Sequence, residues 1–357
     1  MKITFVLPYA GLSGGIRVVA IYAEKLQQLG HEIFIISQLP QKISLKQQVG
    51  SLLKGKGLVH NWKKSASFFD NLNITHKVLK KERPINDADV PDADVVIATW
   101  WKTAEWVAQL SASKGQKVYF IQHHEIHDSA TQKRAMATYT LPLYKIVIAQ
   151  WLVELMANKY NDREVALVPN SVDTNQFFAL PRSKQSIPTV GMMYSHKSWK
   201  GSDISLSAFS LAVNKIKNIR LIAFGQESLS NLKLPPNTEY ICHPPQKAIK
   251  DIYARCDAWL FGSRYEGFGL PILEAMACRT PVIATPAGAA PELLKNGGGI
   301  LVKPEEPEDM AKAIIQICNY SDQEWKVLSQ AAYAQATPYT GEDAAKLFES
   351  ALKTAVQ

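Results

Sequence analysis

Residues 263–288 read SRYEGFGLPILEAMACRTPVIATPAG and contain the local pattern from which we infer the fold. The stretch follows the apolar run AWLFGS. It combines a glycine-flanked turn, a proline suited to the first turn of a helix, and a second apolar run, PVIAT. The pattern predicts strands over 258–262 and 281–285 joined by a helix over 270–278, which is a βαβ unit.

The same alternation continues on both sides of this unit. Helical spacing is clearest at 16–29, 202–216 and 246–255. Short apolar strands that alternate with helices are typical of parallel sheets covered on both faces. We therefore predict an α/β protein with two doubly wound, Rossmann-like domains and a ligand cleft between them. The further predicted strands cover 2–7, 31–37, 94–99, 117–122, 145–149, 164–168, 189–193, 220–224, 238–242 and 299–302.

A chain of 357 residues is long for one compact domain. The segment 180–188 (LPRSKQSIP) is polar, is bounded by prolines and suits an interdomain linker. We place an N-terminal domain at 1–179 and a C-terminal domain at 180–340. The amphipathic stretch 341–357 is predicted to form a C-terminal helix that packs back on the N-terminal domain.

Composition points to an ordinary globular protein, with 46% hydrophobic and 20% charged residues. No window of about 18 uncharged apolar residues is present, which argues against a membrane span. The start, MKITFVLPYAG, has no cleavage-site pattern and reads as a buried strand. The four cysteines, Cys242, Cys256, Cys278 and Cys318, lack C-x-x-C spacing, so we expect reduced core thiols in a cytoplasmic protein.

The basic charge is concentrated in one window. Residues 42–83 hold ten lysines and arginines against two acids, and this excess equals the net charge of +8 for the whole chain. Apolar residues interleave with the lysines, as in a basic amphipathic helix on an anionic membrane surface. A solvated helix with its apolar side in the core is the alternative. No nucleic-acid motif accompanies the window, so no nucleic-acid partner is expected.

The turn within residues 263–288 suits an anionic ligand. Gly267 and Gly269 bring backbone amides to the start of a helix, where phosphate binds favourably. Glu266 and Glu274 are themselves anionic, so beside phosphates they make sense as acceptors for neutral hydroxyl groups. Phosphate on amides together with carboxylates on sugar hydroxyls describes a sugar nucleotide.

The stretch EGFGLPILEAMACRTPVIATPAGAAPEL resembles the E-x7-E signature of family 4, the retaining glycosyltransferases of the GT-B fold. The resemblance implies that Glu266 faces the transferred sugar and that Glu274 binds the nucleotide ribose. It also implies that the amides of the intervening residues, Gly267, Phe268, Gly269 and Leu270, meet the sugar or the phosphates. Taken singly, Glu274 has the alternative of a first-turn surface residue that complements the helix dipole, and Glu266 has the alternative of a plain loop charge.

The resemblance extends along nearly the whole chain. PNSVDTNQFF is similar to the family segment that leads into the second domain, and Lys200-Gly201 is similar to its lysine-glycine pair. Lys200 would then neutralise the diphosphate, assisted by Lys197. In the family an arginine often follows the glycine that ends this domain's first strand, whereas here Met192 follows Gly191.

Two segments of the first domain are further candidates. In GLSGGIRVV, Gly14 and Gly15 precede a helix predicted from Ile16 and resemble a family loop that reaches the donor phosphates. A plain turn is the alternative. QHHEIHD follows the strand KVYFIQ, and by resemblance His123, preferred over His124 by register, contacts the donor sugar. A structural histidine is also compatible with the sequence, and a metal site at His123, His124 and His127 lacks a further ligand.

These observations favour a retaining glycosyltransferase that moves a sugar from a nucleoside diphosphate to a hydroxyl of a glycan or lipid-linked glycan. No metal or other cofactor is expected. Two D-x-D triplets, at 87–89 and 92–94, lie on the loop that enters a strand and are interpreted as structural. The alternatives are a nicotinamide-dependent oxidoreductase, a non-catalytic sugar-nucleotide- or membrane-binding partner of a polysaccharide assembly system, and another GT-B enzyme such as an epimerase.

Overall fold

The computed structural model describes residues 1–39, 66–126 and 128–357. Within them the chain forms two compact units. The first comprises residues 1–147, 155–166 and 345–357, and the second comprises residues 148–154 and 167–344. Both units are discontinuous in sequence. The prediction that the domains meet at residues 179 and 180 stays a prediction.

The first unit is built on a seven-stranded parallel sheet with the order β3-β2-β1-β4-β5-β6-β7. Strands β2 and β3 lie on one side of β1, and β4 to β7 lie on its other side in chain order, as in doubly wound folds. The strands are β1 (Lys2–Leu7), β2 (Glu32–Ser37), β3 (Thr75–Val78), β4 (Val95–Ala98), β5 (Gln116–Ile121), β6 (Tyr144–Val147) and β7 (Val165–Leu167).

Helices α1 (Gly14–Gln28), α2 (Trp101–Ala108), α3 (Gln132–Thr138) and α4 (Gln150–Tyr160) follow β1, β4, β5 and β6. The central strands are buried almost throughout because helices cover the sheet. The C-terminal helix α11 (Gly341–Val356) adds to this unit. Its fully buried Phe348 packs on the rings of Phe5, Tyr22 and Phe120, with centroid distances of 6.4, 4.5 and 5.0 Å.

The second unit has a six-stranded parallel sheet with the order β10-β9-β8-β11-β12-β13. Its order changes direction between β8 and β11. The strands are β8 (Thr189–Met193), β9 (Arg220–Gly225), β10 (Thr238–Cys242), β11 (Ala258–Phe261), β12 (Val282–Ala284) and β13 (Gly299–Leu301).

Six helices complete this unit: α5 (Ser202–Val213), α6 (Ile249–Ala254), α7 (Leu270–Ala277), α8 (Ala290–Leu293), α9 (Pro307–Asn319) and α10 (Asp322–Ala336). A hydrophobic core joins α5, α9 and the sheet, and it includes Trp325 and Met192. The two parallel sheets confirm the predicted fold class and most predicted strands within a residue or two.

Several local expectations are corrected. Helix α1 begins at Gly14, so Gly14 and Gly15 lie in its first turn and not in a loop before it. The expected helix over 246–255 starts with a 3₁₀ turn, Gln246–Ala248, before α6. Cys242 is exposed, whereas the other three cysteines are buried as predicted, and all four are free thiols.

The basic window is only partly described, since its residues 42–65 lie outside the described ranges. Residues 66–83 form turns and the short strand β3 and contain no helix, so the helical interpretation is wrong for this part. Lys77 and Arg83 both pair with the carboxylate of Asp89, at 3.7 and 2.5 Å. Two of the basic side chains are thus tied to the fold of the first unit.

The segment predicted as a linker is attached to the second unit. Arg182 lies over the ring of Trp325 at 4.4 Å and donates to the carbonyl oxygen of Cys256 at 2.5 Å. The backbone amide of Gln185 donates to the carboxylate of Asp257 at 2.8 Å. The polar character of this segment therefore reflects hydrogen bonds to the unit's surface.

Candidate active site

The candidate site in the second unit lies where the strand order of its sheet changes direction. Strands β8 and β11 are neighbours, and the chain leaves their carboxyl ends toward opposite sides. This leaves an opening at the sheet edge, which is where ligands bind in open α/β sheets. The 3₁₀ turn Ser198–Lys200 follows β8, and the loop 262–269 follows β11.

Lys200 and Glu266 meet at this opening. The Nζ atom of Lys200 lies 2.5 Å from Oε1 of Glu266, and Ser263 Oγ donates to the same oxygen at 3.0 Å. Both charged side chains are largely withdrawn from solvent. A charge-assisted pair in such surroundings is stronger than an exposed one, so each side chain holds the other in place.

Two glycines allow the turn that carries Lys200 and the loop that carries Glu266 to pack closely together. Gly201 has a φ of +59°, and a Cβ atom there would lie 1.7 Å from the carbonyl oxygen of Gly262. A Cβ on Gly262 would in turn lie 2.6 Å from Ser205 Oγ. Backbone therefore packs directly on backbone, which fixes Lys200 relative to the loop that carries Glu266.

The loop leads into the N-terminus of α7. Gly269 is its N-cap with a φ of +100°, and Pro271 lies in the first turn. The carbonyl oxygen of Gly267 accepts a hydrogen bond from Trp151 Nε1 at 2.8 Å, and Phe268 is 3% exposed. Residues 267–269 are buried, Leu270 is half-buried, and none of the four has a polar side chain. The groups of this turn that can bind an anionic ligand are therefore backbone amides.

Glu274 lies on α7 and is only 7% exposed, which rules out the surface alternative for this residue. Its Oε2 atom accepts a hydrogen bond from the hydroxyl of Tyr253 at 2.9 Å. A buried carboxylate requires such donors, because removing a charge from water is costly.

The side chains of Lys197 and Met192 make other contacts. Lys197 is exposed, and its Nζ lies over the ring of Trp199, 5.3 Å from the centroid. Met192 is buried within β8, so the strand does not end at Gly191 and the side chain at 192 faces the hydrophobic core. A side chain at position 192 is therefore not directed at the loop that carries Lys200.

The candidates in the first unit also come together at a sheet edge. A Cβ atom on Gly15 would lie 3.4 Å from the side-chain oxygen of Gln122, whereas Gly14 has open space there. His123 follows directly and is half-buried, and its Nδ1 lies 3.0 Å from the carbonyl oxygen of His124. His124 is buried, and its Nε2 lies 2.8 Å from the hydroxyl of Tyr160, so His124 has a structural contact.

The sequence places Glu125 beside these histidines at the carboxyl end of β5 but predicts no role for it. Its carboxylate accepts hydrogen bonds from the amide of Trp101 at 3.0 Å and the hydroxyl of Tyr119 at 3.5 Å. Its own amide donates to the hydroxyl of Tyr139 at 2.8 Å. Burial of the carboxyl group outweighs these bonds and raises the pKa of Glu125 to about 8. The signal in the sequence was an acidic residue just after a buried strand.

The D-x-D aspartates have structural partners. Asp89 binds Arg83 and Lys77, and Asp87 accepts from the amide of Ser111 at 2.9 Å. Asp92 pairs with Lys114 at 2.8 Å, and Asp94 accepts from the amide of Lys2 at 2.7 Å. In the described ranges no group of three or more His, Cys, Asp or Glu side chains is arranged to hold a metal ion.

Arg264 is a residue that the sequence analysis missed. Its guanidinium binds Asp203 at 2.7 and 2.8 Å, Glu305 at 2.5 and 2.8 Å, and the carbonyl oxygen of Ser198 at 2.6 Å. It thus ties the turn bearing Lys200 to the loop bearing Glu266. Its partners are far apart in sequence, so no local pattern reveals them.

Most of the second unit is similar to a known protein family. Residues 174–335 match the family described as Glycosyl transferases group 1. Over 105 residues the chain is 31% identical to O-antigen chain mannosyltransferase B of Escherichia coli, covering 29% of this chain and 27% of that protein. It is 23% identical to the phosphatidyl-myo-inositol mannosyltransferase of Mycolicibacterium smegmatis, covering 89% and 84% of the two chains.

The match spans about a quarter to a half of the first three relatives' own lengths. Among solved structures, Anabaena Alr3699/HepE in complex with UDP superimposes with a TM-score of 0.75 at 19% identity, over 99% of this chain and 100% of that one. No helix within the described ranges is long and apolar enough to cross a membrane. These comparisons do not favour the oxidoreductase alternative. The chain has the GT-B fold, and its residues 174–335 match the family model of the group 1 glycosyl transferases.

Proposed function

We propose that this protein transfers a sugar from a nucleoside diphosphate to a hydroxyl group of a glycan or lipid-linked glycan, with retention of anomeric configuration. The observation that carries the proposal is the contact between Lys200 and Glu266 beside the N-terminus of α7. It combines one cation, the backbone amides of the turn that begins α7, and one carboxylate at the opening between β8 and β11.

The charges of this site suit an anionic donor with neutral hydroxyls. Glu266 alone would repel a diphosphate, but Lys200 compensates its charge at 2.5 Å. The amides at the start of α7 add a favourable potential for phosphate. Lys200 and these amides would stabilise the departing diphosphate, while Glu266 would accept hydrogen bonds from the sugar.

In this scheme the bond between the anomeric carbon and the diphosphate oxygen breaks, and its electron pair leaves with the diphosphate. The acceptor oxygen forms the new bond on the same face of the sugar and gives its proton to the departing diphosphate. Most of the rate enhancement would come from stabilising the leaving group and positioning the acceptor. Glu274 would bind the ribose, and His123, with Gly14 and Gly15, would contact the donor sugar or phosphates.

The names of related proteins support the substrate classes. Two relatives are named as O-antigen chain mannosyltransferases and one as a phosphatidyl-myo-inositol mannosyltransferase, and a structural neighbour was solved with UDP. A glycan or lipid-linked acceptor is therefore the proposed class for this chain as well.

Calorimetric titration with UDP, GDP, dTDP and NAD, without added metal, tests the donor proposal. We expect one nucleoside diphosphate to bind and its binding to collapse in Glu274→Ala. Binding of NAD alone would instead indicate the oxidoreductase. Binding of none of the four would contradict a donor site formed by this chain alone.

Transfer itself is tested with the matching nucleotide sugar and an acceptor glycan, followed by NMR of the anomeric proton in the product. Retention predicts the same anomeric configuration as in the donor. Addition of a chelator is expected to leave the rate unchanged, because we propose no metal in the reaction. A rate that requires added Mg²⁺ or Mn²⁺ would contradict that part of the proposal.

We also propose that the protein works in the cytoplasm, at the inner face of a membrane bound through residues 42–83. The support is the excess of ten basic over two acidic side chains in this window. Flotation with liposomes that contain anionic lipid should recover the protein at low salt and release it at high salt. No binding at low salt would contradict this proposal.

A further inference from the structure

We propose that Tyr253 is the positioning residue that orients the Glu274 carboxylate for ribose recognition in the donor site. The inference rests on the proposed function and adds a residue outside the glycine-flanked turn. Tyr253 lies on α6, and its hydroxyl donates to Glu274 Oε2 at 2.9 Å.

Tyr253 is itself held rigidly. It is fully buried, and its ring packs edge-on against Trp259, with 4.4 Å between centroids. Its carbonyl oxygen accepts a hydrogen bond from Thr280 Oγ1 at 2.7 Å. A phenol fixed at its ring and at its backbone points its O–H in one direction, so it can hold a carboxylate in one rotamer.

Glu274 needs such support because it is buried. A carboxylate offers about four acceptor positions on its two oxygens, so a bond from Tyr253 can coexist with bonds from ribose hydroxyls. Loss of the phenol O–H would leave a buried charge with one donor fewer, and the side chain would adopt other rotamers. Discrimination between ribose and a sugar lacking its hydroxyls should then fall.

The test is calorimetric titration of UDP and GDP and of their 2′,3′-dideoxy forms against four proteins: wild type, Tyr253→Phe, Glu274→Gln and Tyr320→Phe. Tyr320 is the matched control, because its hydroxyl is also hydrogen-bonded to a side chain of the same unit. It accepts a hydrogen bond from Gln316 Nε2 at 2.7 Å, and Gln316 is not a proposed site residue. We expect the wild type to prefer the ribose form by about tenfold or more. Tyr253→Phe should lose most of this preference, and Tyr320→Phe should keep it.

An unchanged preference in Tyr253→Phe, together with a loss in Glu274→Gln, would overturn the inference and leave the proposed function intact. Failure of the wild type to bind either diphosphate would overturn both. An equal preference in wild type and Glu274→Gln would overturn the ribose role of Glu274 and with it that of Tyr253.

A measurement without ligand tests the same contact. Thermal midpoints of the wild type, Tyr253→Phe, Glu274→Ala and the double variant form a double-mutant cycle, because alanine at 274 removes the acceptor of the Tyr253 hydrogen bond. We expect the double variant to lose less than the sum of the two single losses, since the second change removes a partner already lost. Additive losses would contradict an energetic link between Tyr253 and Glu274.

Discussion

The Nζ atom of Lys200 lies 2.5 Å from Oε1 of Glu266, although the two residues belong to loops that follow different strands, β8 and β11. Their contact places a cation and a carboxylate within one opening of the sheet. Each residue has a distinct proposed role, so their individual and joint replacement should give different results.

Lys200→Met should weaken binding of the nucleoside diphosphate by about tenfold or more, because a charged hydrogen-bond donor is lost and Glu266 is left uncompensated. Glu266→Gln should bind the diphosphate at least as tightly as wild type but turn over far more slowly. The double variant should recover part of the lost affinity.

Calorimetry with initial-rate kinetics measures the affinity and the turnover of these variants. Lys326→Met, which removes an exposed pair with Asp322 at 2.6 Å in the same unit, is the control. Purely additive losses in affinity would contradict the model of compensation.

Arg264→Lys should lower affinity for the diphosphate, because lysine cannot reproduce the guanidinium fork that joins Ser198, Asp203 and Glu305. We expect a stability loss of about 1–2 kcal/mol by chemical denaturation. Arg255→Lys is the matched control, since Arg255 makes a bidentate but more exposed pair with Glu239. Arg255→Lys should lower the free energy of unfolding by less than about 1 kcal/mol and leave diphosphate binding unchanged. Equal effects of the two changes on binding would argue against Arg264 as a support of the site.

Gly201→Ala should destabilise the protein and disrupt diphosphate binding. It combines a left-handed backbone, costing about 1–3 kcal/mol, with a direct clash against the carbonyl oxygen of Gly262. Gly30→Ala separates the two causes, because Gly30 has a φ of +90° but open space where its Cβ would lie. Denaturation curves should show the smaller loss for Gly30→Ala, with binding retained. A Gly201→Ala protein that binds as well as wild type would show that close backbone packing is dispensable.

Glu125 should make stability depend on pH. Its pKa is raised from 4.5 to about 8 in the folded state, so between these values the folded protein holds a proton that the unfolded chain has released. The contribution of Glu125 is fully present below about pH 4.5 and is lost as pH rises toward 8, by at most about 1.4 kcal/mol per pH unit. Thermal midpoints at pH 5, 6.5 and 8 should therefore fall for the wild type relative to Glu125→Gln. If the difference in thermal midpoint between the two proteins is the same at all three pH values, Glu125 is ionised across this range and its pKa is not raised.

Gly14→Ala should separate stability from function. Gly14 begins α1 and has open space at its Cβ position, so alanine should stabilise the protein by about 0.5–1 kcal/mol. If the backbone there approaches the donor as we propose, turnover should fall while the thermal midpoint rises. A Gly14→Ala enzyme with unchanged kinetics would remove Gly14 from the donor site.

The sequence by itself determined the α/β class and the order of elements. Alternating apolar strands and helical spacing are local properties, and they predicted strands such as β1, β8 and β10 at the bounds observed. The glycine-flanked turn with Glu266, Pro271 and Glu274 could also be recognised from the sequence, because its residues lie within one turn and the helix that follows it.

The tertiary structure alone decided which distant residues support the site. Tyr253 meets Glu274 only because α6 lies beside α7. Arg264 reaches Asp203 and Glu305 only because the loop after β11 meets the start of α5 and the loop before α9. It also decided that the side chain of Met192 faces the core. Such contacts depend on strand order and helix packing, which join residues far apart in the chain. Periodicity and spacing report only on neighbours along it.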